Sequence, residues 1–370
     1  MSQRILILGG RGRIGRNVAT DVLAHTDATL TLTGRRPKAS FLLSERQQYQ
    51  ALDLGNRAAV RAAIAAHDLT IHCAGPFRQR DHQVLESCLD QGKPYVDVAD
   101  SPDYVRQALT YRDAAIAAGT TCIVGTGVFP GISNSLVRRG IEQFDHADQV
   151  ETVHLSYLVA GSGGAGVTVM RTTFIELQTP FQSKIDGQWQ SIAPYSGREV
   201  LAFPAPYDVG AGVYWFNTIE ALTLPQSFPQ VKTFITKFGS LPDYYNRLTG
   251  LMAKLPPGWL KQPVVIEALS KISYAMTQIT DQFSGTGIAM RFAIAGIKDG
   301  VPQTYQVTAT HPDTAQVAGY GTGSLAQLIL SGQVHKPGVW PVEQCLATPL
   351  FEQTMAQRGL AFSQQWLSLR

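Results

Sequence analysis

QRILILGGRGRIG, residues 3–15, is the stretch whose reading decides the fold. The apolar run Arg4–Leu8 has the length and composition of a buried strand, and glycines follow it at once. Gly10, Gly12 and Gly15 give GxGxxG directly after that strand and directly before a helical pattern, which is the context this motif needs to bind a dinucleotide. Gly10 permits a tight turn, Gly12 leaves room for a pyrophosphate against bare backbone, and Gly15 lets helix and strand approach. The helix that opens at Arg13 and Ile14 offers unpaired N–H groups to the anion.

Outward from this loop, short apolar runs alternate with helical patterns, the signature of parallel strands joined by crossover helices. The spacing predicts strands at 29–33, 49–54, 69–73, 95–98 and 121–124. Between them, Ile14, Val18 and Val22 share one helical face, Val60 and Ile64 another, and Val84, Leu85, Cys88 and Leu89 a third. Ser101 as N-cap, Pro102 in the first turn and Gly119 at the close predict a helix over 102–118, and a further helix is expected over 132–144.

Composition bounds what such a protein can be. At 370 residues the chain suggests two domains. Apolar residues make up 44% and charged residues 16%, so the surface is sparsely charged and contacts between copies become plausible. Lys+Arg 31 against Asp+Glu 28 leaves +3, far short of a nucleic-acid binder's footprint. No stretch reaches the ~20 apolar residues that span a bilayer. The run ILIL ends at Gly9, too early for a signal peptide's apolar core, and the expectation is a cytoplasmic protein without an integral membrane segment. Cys73, Cys88, Cys122 and Cys345 form no CxxC pair and lack histidines at zinc spacing, so reduced, mostly buried thiols are expected and no metal.

The choice of cofactor rests on the end of the second strand. About 20 residues beyond the glycine loop an NAD enzyme carries Asp or Glu for the ribose diol. Here the sequence is Thr33-Gly34-Arg35-Arg36. Guanidinium groups suit the 2′-phosphate of NADP(H), and hydrogen bonds to charged groups contribute about 1.5–3 kcal/mol each, roughly 10- to 150-fold in affinity. Asp53, after the third strand, either accepts from the adenine amine or caps the next helix.

Ligands of open α/β sheets bind outside the carboxyl ends of the strands. The residues to inspect are therefore Ala74, Gly75, Pro76 and Phe77, then Asp97 to Asp100, then Gly125 to Asn134. Gly75 lets backbone approach the nicotinamide ribose and Pro76 stiffens the turn, while Arg78 and Arg80 add charge nearby. Asp97, inside a strand reading YVDVAD, is either an acceptor for loop N–H groups or a proton-handling group. Tyr95, Asp97 and Asp100 are the candidates for proton delivery. His72, within a strand, reads as a hydrogen-bonded core residue. None of the 13 tyrosines has a lysine four residues on, and GxSxG is absent, so neither a hydroxyl–lysine pair nor an acyl-transfer elbow is present. GSGGAG at 161–166 lacks the Lys-Ser/Thr of a P-loop and reads as a flexible turn or ligand loop.

In the middle of the chain, alternation over 288–297, a Lys298-Asp299-Gly300 turn and the return through Tyr305 and Val307 predict a hairpin, with 150–160 as another strand of the same antiparallel sheet. Arg171 is a candidate partner for a substrate carboxylate. Residues 264–279 place Val265, Ala268, Leu269, Ile272, Met276 and Ile279 on one helical face, after an apolar LPPGWL turn at 255–260; this face roofs a greasy substrate pocket, touches a membrane surface or, the default for an amphipathic helix, is buried in the core.

Taken together, GGRGRIG, HCAGPF at 72–77, ESCLDQGKPYVDVAD at 86–100, GTGVFPGISN at 125–134, TAQVAGYGTGSLAQLILSG at 314–332 and HKPGVWPVEQC at 335–345 resemble the saccharopine dehydrogenase/reductase-like oxidoreductases. The resemblance implies an α/β protein: a Rossmann-type doubly wound parallel sheet in residues 1–130, rejoined by C-terminal helices over 312–370. An α+β domain built on an antiparallel sheet is inserted at 131–311 for substrate and dimerisation. It also implies a homodimer and a cofactor at Gly10 to Gly15, Arg35 and Ala74 to Pro76. Family members acting on saccharopine or carboxylated polyamines carry GxDPG, with an acid near the substrate amine. Here Phe129 stands at that place in Gly127-Val128-Phe129-Pro130-Gly131, which points to a less cationic small-molecule substrate. Phe77, Phe129, Asn134 and Arg171 are the expected substrate contacts. The expected activity is NADPH-dependent hydride transfer to a C=N, C=O or polarised C=C bond. The alternative is an NADP(H)-binding redox sensor or assembly protein without turnover.

Overall fold

The computed structural model describes residues 3–36, 44–162, 167–208, 210–254 and 262–368. The chain divides into two compact units, Met1–Ser135 with Ala315–Arg358, and Leu136–Thr314 with Gly359–Arg370. Strands are numbered along the chain: β1 Arg4–Leu8, β2 Thr29–Gly34, β3 Gln47–Ala51, β4 Leu69–His72, β5 Tyr95–Asp97, β6 Thr121–Val124, β7 Val150–Ala160, β8 Phe181–Ile185, β9 Gln188–Ile192, β10 Glu199–Leu201, β11 Ala211–Trp215, β12 Thr233–Leu241, β13 Gly287–Lys298, β14 Val301–His311, β15 Gly338–Pro341 and β16 Ser363–Ser368.

In the first unit a seven-stranded parallel sheet runs β15-β6-β5-β4-β1-β2-β3. Strand order reverses between β1 and β4, so the crevice a ligand can enter lies at their carboxyl ends. Both faces of this sheet are covered, hence the unbroken apolar runs. Ile5, Ile7, Leu30, Leu32, Leu69, Ile71 and Val96 pack with Val18 and Val22 of the helix Arg13–His25. Sequence periodicity set β3 several residues too late and missed β15, which pairs with β6. The helix expected over 102–118 is broken into Pro102–Ala108, a 3-10 turn and Arg112–Ala117, and at the break the Thr110 hydroxyl donates to the Gln107 carbonyl.

The C-terminal segment closes this unit. In helix Thr314–Leu330 a Cβ at Gly319 would lie 2.8 Å from the Asn17 carbonyl oxygen, and Cβ atoms at Gly321 and Gly323 would run into the Gly127 carbonyl and the Asp21 carboxylate. Only glycine admits that approach. Just after helix Thr348–Gln357, Arg358 grips buried Asp21 with Nε at 3.0 Å from Oδ1 and Nη2 at 2.7 Å from Oδ2. Burial holds the Asp21 carboxyl above its ordinary value despite this partner, as expected where desolvation outweighs pairing.

The second unit is built on a seven-stranded sheet, β10-β11-β12-β7-β13-β14-β16, with β8–β9 a separate hairpin. The sheet is mixed, because β12 runs parallel to β7 while its other pairs are antiparallel. β13 and β14 form the long hairpin, turned by Asp299 (φ 52°) and Gly300 (φ 74°), the Asp-Gly pair that a type I′ turn requires. The chain's last strand, β16, pairs with β14 here, whereas the sequence reading placed all of 312–370 with the first unit. Helix Pro263–Ser284 turns inward through Ile266, Ser270 and Thr277. Ile272 and Ile279 are 57% and 62% exposed, so the apolar face expected in the core is rotated toward solvent. Residues 163–166 of GSGGAG, and LPPGWL at 255–260, lie outside the described residues.

Among the described residues no helix is long and apolar enough to cross a membrane, and no group of three His, Cys, Asp or Glu is arranged to hold a metal ion. The four cysteines are unpaired, and burial pushes Cys88 up to about 12.

Candidate functional site

The glycine turn stands at the carboxyl end of β1. Gly9 takes the left-handed conformation (φ 75°), and a Cβ there would lie 2.8 Å from Ala74 Cα. The residue that needs to be glycine for the turn is therefore Gly9, one position before the motif's first glycine. A Cβ on Gly10 would lie 2.9 Å from Leu32 Cβ, so Gly10 admits β2. On Gly15 a Cβ would collide with the Gly9 carbonyl oxygen and approach Gly10 Cα to 2.8 Å, so Gly15 lets the helix seat on the turn. At Gly12, by contrast, a Cβ would meet nothing within 4 Å except Gly9 O at 3.1 Å. That exposed position is the cradle a side chain would fill. Gly12 is also the N-cap of helix Arg13–His25, which has no side-chain cap and no acidic residue in its first turn. The main chain of Arg13, Ile14 and Gly15 therefore presents the positive end of the helix at an uncluttered surface. These residues fit a diphosphate.

Arg35 and Arg36 follow β2 and are exposed. Two residues that the sequence reading passed over join them. The Tyr49 hydroxyl donates to the Arg36 carbonyl oxygen (2.5 Å) and lies 3.0 Å from that of Gly34, fixing the backbone from which both arginines project. The Arg11 guanidinium lies 5.4 Å from the centre of the Tyr49 ring. Three arginines thus gather at the end of β2 beside the glycine turn. Arg11 was visible in sequence only as a variable position of GxGxxG, and Tyr49 only as a strand residue. Asp53 is exposed, with Oδ1 accepting from Gly55 N–H at 3.0 Å. The next helix is capped by Asn56, not Asp53.

After β4, the Ala74 N–H donates to His72 Nδ1 at 3.2 Å, and Arg80 Nε donates to the Ala74 carbonyl at 2.8 Å. Arg80 is therefore a brace for the loop carrying Ala74, Gly75 and Pro76, rather than loose charge awaiting a substrate. Phe77 is buried between His72 and Tyr104, with ring centroids 4.9 and 5.0 Å away. It is a core contact and does not face a ligand. His72 is buried as expected, but among the described residues its Nε2 has no partner. Burial, with Arg80 nearby, pushes its pKa down to about 3, so the ring is neutral.

Asp97 and Tyr95 are both 0% exposed. Asp97 Oδ1 accepts from the N–H groups of Ala99 (3.0 Å) and Gly125 (2.8 Å), and Oδ2 accepts from the Tyr95 hydroxyl at 3.0 Å. That hydroxyl also lies 3.1 Å from Tyr104 Oη. Burial pushes the Asp97 carboxyl up to about 6, against the pull of the Gly125 and Ala99 N–H groups, and pushes both phenols up. The three groups form an inward network that ties β5 to the turn after β6. Asp100 is exposed at the mouth of β5.

Two of the remaining expected substrate contacts, Asn134 and Arg171, are each engaged in bonds within their own unit. Asn134 is buried, its Oδ1 accepting from Gly131 N–H and its Nδ2 donating to Glu343 at 2.9 Å. Its amide holds the irregular turn Val128–Ile132, whose Gly131 has φ 126°, against the C-terminal segment. Phe129 sits half-buried in that turn. Arg171, in the second unit, is paired with Glu267 and links helices Val167–Glu176 and Pro263–Ser284. It is an inter-helix tie, which corrects its reading as a carboxylate receptor.

Comparison with known proteins adds to this geometry. Residues 5–123 match the family model for the saccharopine dehydrogenase NADP binding domain. Over 144 residues, 33% of this chain and 31% of the relative, the sequence is 24% identical to a probable mitochondrial saccharopine dehydrogenase-like oxidoreductase of Arabidopsis thaliana. The match thus spans about a third of that curated relative. The fold is similar to apo saccharopine dehydrogenase (L-Glu forming) from Saccharomyces cerevisiae, with a TM-score of 0.68 and 12% identity, covering 99% of this chain and 100% of that one. An engineered D-amino acid dehydrogenase aligns with a TM-score of 0.50 and 14% identity over 96% and 99% of the two chains. At these identities the structural likenesses concern the fold.

Proposed function

We infer, from an N-terminal segment that matches the family model for the saccharopine dehydrogenase NADP binding domain, that this protein is an NADPH-dependent oxidoreductase. It reduces a C=N, C=O or polarised C=C bond of a small metabolite that is not strongly cationic. The observation that carries the reading is the open Gly12 cradle at an uncapped helix N-terminus, with Arg35 and Arg36 beside it at the end of β2.

Each residue then has a physical task. The main chain of Arg13, Ile14 and Gly15 holds the diphosphate by N–H donors and helix dipole, while Gly10 and Gly12, whose own N–H groups donate to the Ile7 and Gly9 carbonyls, keep side chains out of its way. Arg35 and Arg36 take the 2′-phosphate, and Arg11 supports them from across the Tyr49 ring. The outward oxygen of Asp53 accepts from the adenine amine. Ala74, Gly75 and Pro76, braced by Arg80, form the wall beside the nicotinamide ribose. When bound, the cofactor supplies the hydride from its nicotinamide C4. Asp100, exposed at the mouth of β5, is the proton-delivering candidate, whereas Tyr95 and Asp97 act as positioning residues through their bonds to the loop backbone. The half-buried Phe129, in place of an acid, supports the expectation of a weakly charged reacting centre.

Burial of Tyr95 and Asp97 favours one second reading, a protein that binds NADP(H) without turnover. Incubating the whole chain with NADPH and fractionated metabolite extract separates the two. Substrate-dependent loss of reduced-nicotinamide absorbance, abolished by Asp100→Asn or Gly15→Val, is the expected result, and tight binding with no consumption in any fraction supports the sensor. Exposed Val264, Ile272 and Ile279 on one helix support the expected homodimer, for which light scattering should give twice the chain mass.

A further inference from the structure

Tyr49 is the one aromatic residue of β3, the edge strand of the first unit's sheet. Its ring packs against the core cluster of that sheet. Its hydroxyl reaches past Leu32, its partner across the ladder, to the end of β2. There it donates to the Arg36 carbonyl oxygen at 2.5 Å and lies 3.0 Å from the Gly34 carbonyl oxygen. The backbone of Arg35 is thus held on both sides. The Gly34 carbonyl also accepts from Leu52 N–H at 2.9 Å, whereas among the described residues the Arg36 carbonyl has no partner besides this hydroxyl.

Gly34 supplies the room. A Cβ there would lie 3.0 Å from Tyr49 Oη and 3.4 Å from Arg11 Cδ, so bare backbone is what lets the phenol and the Arg11 stem close over the strand end. The Arg11 guanidinium then lies 5.4 Å from the ring centre, within cation–π range. Three guanidinium groups are gathered here, and among the described residues no carboxylate pairs with Arg11, Arg35 or Arg36. Like charges on long side chains spread apart unless something holds them. Tyr49 reaches both sides of the group, Arg11 by its ring and the Arg35–Arg36 main chain by its hydroxyl. Cations held in this way have less ordering to undergo when a dianion arrives. The rest of an adenine nucleotide does not depend on this device, because the glycine turn is joined to β2 separately, Gly9 N–H donating to Thr33 Oγ1 at 3.3 Å.

We propose that Tyr49 sets the preference for a 2′-phosphate, as a positioning residue that acts through Arg11, Arg35 and Arg36. The proposal rests on the reading of this loop as the NADP(H) site. It goes beyond that reading by placing selectivity in a phenol of β3, on the neighbouring strand, and not in the arginines alone.

The test titrates the whole chain by calorimetry with adenosine 2′,5′-bisphosphate and with adenosine 5′-monophosphate, two probes that differ only in the 2′-phosphate. The readout is the ratio of their affinities, which a general loosening of the fold leaves unchanged because it weakens both alike. Tyr49→Phe keeps the ring against Arg11 and removes both hydroxyl contacts, and should lower the ratio about 3- to 10-fold through the bisphosphate alone. Tyr49→Leu removes the ring as well and should lower it further. Gly34→Ala keeps Tyr49 but crowds its hydroxyl and the Arg11 stem, and is expected to match Tyr49→Phe, so the question is decided even where a Tyr49 variant folds poorly. An unchanged ratio in Tyr49→Phe or Gly34→Ala, or equal losses for both probes, would overturn the role given to Tyr49 and leave the NADP(H) reading standing. A wild-type chain that binds the two probes equally would instead overturn that reading, and this proposal with it.

Discussion

At the end of β1, Gly9, Gly10 and Gly15 let the turn, β2 and the helix close on one another, and open Gly12 leaves the main chain of the helix's first turn bare. On the polar face of the second sheet the arrangement is the reverse: the backbone is committed to ladders and Arg291 projects from among alanines, serine and threonine. The first kind of surface is made by removing atoms, and its position follows from strand order, because the crevice must open where the order reverses. The second is made by one side chain and depends on register, since a one-residue slip in β13 would turn Arg291 into the apolar core.

The difference between the two units can be broken most sharply at the Asp21–Arg358 pair, which closes the first unit alone. Arg358→Ala leaves a buried carboxylate without its cation, and a loss of about 3–5 kcal/mol is expected. Calorimetry should then show a melting transition lowered for the first unit, with the second keeping its own. A single cooperative transition shifted as a whole would mean the units do not unfold separately.

Next comes the claim that the first surface is made of backbone. Gly9→Ala puts a Cβ against Ala74 at a residue with φ 75°. Strain of about 1–3 kcal/mol at such a position should fall on the turn, weakening NADPH at least tenfold in a titration while the second unit's melting transition is unchanged. Wild-type NADPH affinity in this variant would show that the turn's geometry is not what holds the ligand.

The smallest effect is a pH dependence. His72 titrates near 6.5 unfolded but is held down to about 3 in the fold by burial, so between those values the unfolded chain binds the extra proton. Stability from this group is full well above pH 6.5 and is lost as pH falls, at a slope approaching about 1.4 kcal/mol per pH unit between the two values. His72→Gln should flatten that part of the denaturation profile. Asp97, held up to about 6, works oppositely and stabilises less as pH rises from about 4 to 6. An unchanged slope in His72→Gln would mean that His72 does not set the acid limb.

Much of the first unit was legible because parallel strands covered on both faces are written as short apolar runs and their turns as glycines. β15 was not, since Gly338–Pro341 joins the sheet more than 200 residues after its partner β6, and local periodicity carries no information on such pairing. The same limit hid the C-terminal strand β16. In the site, Gly10, Gly12 and Gly15 could be named because each place needs the absence of a side chain, although the turn itself falls on Gly9. Phe77, Asn134 and Arg171 were misjudged because an aromatic, an amide or an arginine serves a core contact or a tie as readily as a ligand. Only their tertiary partners, Tyr104, Glu343 and Glu267, separate the two.

The central claim is that the glycine turn holds a dinucleotide whose extra phosphate is chosen by the arginines after β2. Calorimetric titration of the wild-type chain and Arg35→Asp with NADPH and NADH tests it most directly. The account predicts that the wild type binds NADPH about 10- to 150-fold more tightly than NADH, and that Arg35→Asp erases most of the gap by weakening NADPH. Equal affinities in the wild type, or a preference that survives Arg35→Asp intact, would contradict it.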